Sequence, residues 1–181
     1  MRKIIVSALM AVGLMVSPVA ARAEAPDVGI VDVNYIMAES VAAKALQKQI
    51  KDQSEAFQTE FSKFERELKD MEAALTKARA DKISEEEFKK KRAEFEKKLA
   101  DTQALFQKRR QDFEKGKAEA FKVLSEAILK ETNRIATEKG IELVLGKNLV
   151  IVSDQKMDLT QAVFEGVNKN LKDVKLKVGT N

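Results

Sequence analysis

The sequence predicts an α+β protein that is mainly α: a long antiparallel helical hairpin projecting from a small β-containing oligomerisation body. Three observations carry that expectation. Residues 40–139 contain no proline and one glycine, Gly116. Within that run, apolar residues recur at steps of three, four or seven among charged ones, the narrow stripe of a coiled coil. Short β-branched segments occur only outside it, toward the two ends of the chain.

The elements follow in order. Arg2 and Lys3 precede an uncharged apolar run over residues 4–16, then Pro18 and Ala21-Arg22-Ala23. This order of charged, apolar and small residues is that of a secretory signal peptide over residues 1–23, cleaved after Ala23. The run is shorter than the roughly 20 residues a spanning helix needs. The sequence has no cysteine, so neither a disulfide nor a lipid-modified cysteine is expected. The expected location is the periplasm. Removing three basic residues with the signal leaves 30 basic against 29 acidic ones, so the mature chain is close to neutral.

Residues 24–45 and 132–181 are expected to form the body, and residues 46–131 the arm. In the arm's outgoing helix the stripe runs through Leu46, Ile50, Phe57, Phe61, Phe64, Leu68, Met71, Leu75 and Ala78. In the returning helix it runs through Phe88, Phe95, Leu99, Phe106, Phe113, Ala120, Leu124 and Ile128. Between them the stripe breaks, and Ser84 followed by Glu87 reads as a capping box that restarts the helix, with Glu85 and Glu86 complementing its dipole. The tip therefore falls within residues 79–87.

A turn centred on Asp81-Lys82 makes facing positions sum to about 163. That register pairs Leu75 with Phe88, Leu68 with Phe95, Phe64 with Leu99, Phe57 with Phe106, Ile50 with Phe113 and Ala43 with Ala120. It sets Met71 against Arg92, whose aliphatic stem can cover it. It sets Phe61 against Thr102, leaving Phe61 as the aromatic side chain available to a client. At about 1.5 Å per residue, some 40 helical residues make an arm about 60 Å long. Gly116 is the hinge candidate in the returning helix, a position where glycine otherwise costs about 1 kcal/mol.

Three strands are expected: residues 28–33, 141–145 and 149–152, the last two joined as a hairpin by Gly146-Lys147-Asn148. Asp158 then opens a short helix, with Gln161 in the box position and Leu159, Val163, Phe164, Val167 and Leu171 on its apolar side. Val174, Leu176 and Val178 alternate like an additional edge strand. A body of 72 residues with exposed sheet edges buries little on its own, so symmetric association is expected.

Enzymatic chemistry finds no support. Histidine and cysteine are both absent, which removes the usual general base, nucleophile and soft metal ligands. Residues 140–148, GIELVLGKN, resemble a phosphate loop only superficially: five residues separate the glycines, and Asn148 stands where Ser or Thr would hold magnesium. No catalytic residue, metal or cofactor is expected. Basic clusters at Lys89, Lys90, Lys91 and Arg92, at Lys97 and Lys98, and at Lys108, Arg109 and Arg110 read first as a solvated face with i,i+4 acids. Contact with a phosphate-bearing surface is the sharper reading. Nucleic acid is not expected as a partner, because the phenylalanines are committed to the seam and export separates the two.

The order of parts resembles the Skp/OmpH family of periplasmic chaperones. The resemblance rests on the signal peptide, VGIVDVNYIMAES, the charged helical hairpin, GIELVL followed by LVIVS, and DLTQAVFEGVNKNL. It implies a homotrimer whose body carries three arms around a cavity. There, unfolded outer-membrane β-barrel proteins are held without ATP and kept from aggregating. Some members also interact with lipopolysaccharide, although no residue motif for that site transfers here. The tail after residue 172 extends beyond the family outline. Two other classes remain open: an adaptor using a second apolar stripe at Leu105, Phe121 and Leu129, and an anion-binding envelope protein using the basic clusters.

Overall fold

The computed structural model describes residues 27–179. The signal-peptide expectation for residues 1–23 lies outside the described residues. Strand β1 (Val28–Val31) is followed by helices α1 (Val33–Glu39), α2 (Val41–Ala80) and α3 (Glu85–Lys139). Strand β2 (Leu143–Gly146), two short 3-10 turns and helix α4 (Thr160–Asn170) complete the order. Among the described residues, no helix is long and apolar enough to cross a membrane.

Local chemistry sets these boundaries. Asp32 ends the first strand, because its carboxylate accepts the Tyr35 N–H at 2.9 Å and so caps α1. The strand expected over residues 28–33 is therefore shorter, and Val33 is the first residue of a helix. Buried Ser40 has extended backbone, and its Oγ accepts the Ala43 N–H at 3.3 Å, starting α2. At the tip, Lys82 adopts φ 53° and the Ile83 N–H reaches the Ala78 carbonyl, a Schellman-type closure. Ser84 Oγ accepts the Glu87 N–H at 3.3 Å and donates to Glu87 Oε2 at 3.0 Å. The capping box thus closes between side chains, on top of three acids in the first turn of α3.

β1 and β2 pair in parallel, with Val28 opposite Leu143 and Val31 opposite Gly146. The other edge of β1 receives only Asp158, and the Leu159 N–H donates to the Ile30 carbonyl at 2.7 Å. The expected hairpin with residues 149–152 does not form. Lys147–Leu149 is a 3-10 turn, and Leu149, Ile151 and Val152 are 73%, 99% and 87% exposed. Residues 147–149 wind into a 3-10 turn instead of a tight reversal, so the chain leaves β2 without folding back along its outer edge. Helix α4 begins one residue later than an Asp158 cap predicts: Leu159 is the N-cap, and the Asp158 carboxylate accepts the Thr160 N–H at 2.8 Å just ahead of it. Gln161 does not act as a box residue; its amide donates to Glu165 at 2.7 Å.

One hydrophobic core gathers Val31, Ile36, Leu46, Leu124, Val163 and Val167, each at most 2% exposed, with Ala43, Ala120, Ile128 and Val174. It takes in residues of both long helices, so the body reaches into the bases of α2 and α3.

Candidate functional site: the arm faces and the groove at the arm's base

The ten seam residues, Ile50, Phe57, Phe64, Leu68, Leu75, Phe88, Phe95, Leu99, Phe106 and Phe113, are all half-buried. Two helices can cover a single stripe from one side only, so the flanks of each ring stay wet.

The aromatic register differs from the expected one. Phe57 packs on Phe113 with centroids 5.4 Å apart, and Phe64 packs on Phe106 at 5.5 Å. Both pairs sum to 170. Phe61, expected opposite Thr102, instead stacks edge-on against Phe106 at 5.0 Å. The cause is side-chain direction. The positions of the helix ends, Ala80 and Glu85, sum to 165. Side chains lean toward the N-terminus of their own helix, toward the base in α2 and toward the tip in α3. Rings on the two helices therefore meet at sums a few residues above the backbone midpoint. Thr102 is buried without needing an aromatic partner, and Phe61 keeps 41% of its surface exposed.

The basic residues divide into paired and unpaired sets. Lys89 meets Glu85 at 2.9 Å, Arg92 meets Glu96 at 2.7 Å, and Lys108 meets Asp112 at 3.3 Å, all within one helix. Lys98 bridges to Glu67 at 2.7 Å and lies over the Phe64 ring at 4.8 Å; Arg109 bridges to Glu60. These two pairs tie α3 to α2. Among the described residues, Lys90, Lys91, Lys97 and Arg110 are exposed with no acid within 4.0 Å. Arg92, expected to shield Met71, turns its guanidinium to Glu96.

Below the aromatic seam, the tail fills the groove between the helices. Gln49 Nε2 donates to the Val174 carbonyl at 2.9 Å and to Asp173 Oδ1 at 3.0 Å. Its Oε1 accepts the Leu176 N–H at 3.0 Å. Gly116 lies buried directly under this segment, where a Cβ would collide with the Lys177 carbonyl oxygen. Glycine at 116 thus permits a close backbone approach, a role the sequence did not reveal. No strand forms there; one glutamine supplies the donor and acceptor that a partner strand would offer.

Between α3 and α4, the buried Glu131 carboxylate accepts from Arg134 Nε at 2.8 Å and from Asn170 Nδ2 at 3.2 Å. The Arg134 hydrogen bond holds this carboxyl below its usual range despite burial. Gly166 leaves room for it, since a Cβ there would overlap Glu131 Oε1. Lys147 reaches Asp158 at 2.9 Å. Burial raises the Asp158 carboxyl, but hydrogen bonds from Thr160 and Lys147 outweigh it and hold the group low. Residues 140–148 form no phosphate cradle: Gly140 is the left-handed cap of α3, and Gly146 ends β2. No group of acids among the described residues could hold a metal ion.

A family model described as outer membrane protein (OmpH-like) matches residues 27–167. A crystal structure of an OmpH-like protein from Caulobacter crescentus CB15 superposes with a TM-score of 0.78 at 17% identity, covering 87% of this chain and 93% of that one. No curated protein matches the chain in sequence.

Proposed function

The chain belongs to the OmpH-like family, and from that premise we propose that it is an ATP-independent periplasmic holdase for unfolded outer-membrane β-barrel proteins. The observation that carries this reading is an arm of about 60 Å whose aromatic stripe is only half-buried along its length. Such a surface offers many weak, non-directional contacts, suited to chains whose apolar strands aggregate when unpaired. Multiplied weak contacts hold strongly and release without nucleotide. Phe61, with one edge on Phe106 and the rest exposed, is the aromatic contact we assign to clients. The Caulobacter protein that shares the fold is itself described as an outer membrane chaperone.

A cage needs several arms, and the body supports the homotrimer reading. Leu149, Ile151 and Val152 project without cover. On the same body, a groove of about 510 Å³ is lined by Val33, Leu129, Ile141 and Val144. A projecting segment seated in a neighbour's groove is a head-to-tail contact, and three such contacts closing as a ring are the arrangement we propose. Periplasmic location follows from the signal peptide expected over residues 1–23.

The deciding experiment dilutes a denatured outer-membrane barrel protein from urea, with and without the mature protein, and follows light scattering. Suppression at one trimer per client is expected; unchanged scattering removes the holdase reading. The unpaired Lys90, Lys91, Lys97 and Arg110 favour a second activity, adhesion to an anionic surface such as lipopolysaccharide. It predicts vesicle binding that weakens steeply with salt, and salt-independent binding or none removes it.

A further inference from the structure

The groove at the arm's base is occupied by the chain's own last residues, which lie beyond the family match ending at residue 167. Residues 171–179 leave α4 and pass Gln49 on α2 and Gly116 on α3. They then reach Asp112, which lies tipward of Gly116 because α3 runs from tip to base. Their burial alternates: Val174, Leu176 and Val178 face inward, while Lys175, Lys177 and Gly179 are exposed. The two main-chain bonds from Gln49 reproduce the donor–acceptor pair of a neighbouring strand, and the bare backbone at Gly116 admits the Lys177 carbonyl. These contacts read an extended main chain, and the apolar floor reads alternate side chains.

We propose that this groove is a binding site for extended, alternately apolar polypeptide, and that residues 172–179 are its intramolecular occupant, displaced by a client segment. The pattern Val174-Lys175-Leu176-Lys177-Val178 is the apolar and polar alternation of an outer-membrane barrel strand. Gln49 and Gly116 accept any such strand because they contact backbone. The seated tail competes in cis, so a client meets only the open fraction of grooves and binds correspondingly more weakly. The identity of the client rests on the holdase reading; the capacity of the groove for extended peptide does not.

The chain has no cysteine, which allows a reversible lock in the full-length protein. A Cβ built at Gly179 would lie 3.5 Å from Asp112 Cβ, within the disulfide range of about 3.5–4.5 Å. The variant D112C/G179C is expected to close an intramolecular disulfide with unchanged helix content, pinning the tail. A fluorescent peptide of residues 171–181 should then bind the oxidised protein about tenfold or more weakly than the reduced protein, by anisotropy. Gln49→Ala should weaken peptide binding to the reduced form. Equal peptide binding in the two redox states overturns the proposal, as does a disulfide that fails to form in the folded protein. Protection of a diluted barrel protein, measured on the same samples, should be greater after reduction. Equal protection in both states overturns displacement by clients. A redox-dependent peptide signal with no protection in either state keeps the groove and removes the holdase reading.

Discussion

The arm and the body are built from the same two helices, yet they solve burial differently. At the base, α1, α4, the sheet and the tail cover α2 and α3 from several sides, and Ile36, Leu46, Leu124 and Val163 are fully enclosed. Toward the tip, each helix has only the other, and every seam residue keeps an exposed flank. Stability should therefore concentrate in the body, while the arm retains accessible apolar surface and low resistance to local opening. An unfinished core in one region is what leaves its apolar surface open to contact.

That contrast can be broken by paired substitutions. Leu124→Ala in the body should cost about 3 kcal/mol, whereas Leu68→Ala in the arm should cost about half as much, both by urea denaturation. Equal costs would mean that the arm is buried by something other than its partner helix. Next in size is Gly166→Ala, which forces Glu131 from its site and should destabilise by about 2 kcal/mol. Glu131→Gln should cost about 1 kcal/mol at pH 7, since Arg134 is half exposed and its pairing is screened. The sign follows from the lowered carboxyl. Its stabilisation is complete above the ordinary glutamate range and lost as pH falls through the depressed folded value. The gap between wild type and Glu131→Gln should therefore close in acid denaturation series below about pH 4.5.

Gly116→Ala separates local from global effects. It should expel residues 175–179, seen as faster amide exchange at Leu176, while helix propensity returns about 1 kcal/mol and leaves the melting temperature nearly unchanged. Slow exchange at Leu176 in this variant would show that the tail is not seated on Gly116. If Gly116 instead acts as the hinge, arm-to-arm distances by spin label should narrow in Gly116→Ala. The smallest effect belongs to the tip. Lys82 is in the left-handed region, so Lys82→Gly should stabilise by a few tenths of a kcal/mol to about 1 kcal/mol.

Much of this architecture was legible because its signals are local. Helix periodicity, the proline-free run and the Ser84 restart each depend on residues a few positions apart. Misplaced features depend on direction or on distant partners. A register drawn through backbone positions leaves Phe61 unpaired because it ignores the lean of side chains toward each helix's N-terminus. Residues 149–152 have strand chemistry, but the 3-10 turn at Lys147–Leu149 carries them away from the edge of β2 that they would join. Gln49 and Gly116 gave no signal of their roles, since their partners lie 125 and 61 positions away, at Val174 and Lys177. Alternation in the tail was visible, but the glutamine that replaces a neighbouring strand was not.

The parallel pairing of Val28–Val31 with Leu143–Gly146 fixes an order of assembly. The hairpin can zip from its tip through contacts between residues close in sequence, whereas the body must join the first described strand to one more than a hundred residues later. During synthesis from the N-terminus, the first described strand emerges long before its mate. The arm thus forms ahead of the base that organises it, and residues 174–177, which settle over Gln49 and Gly116, follow later still.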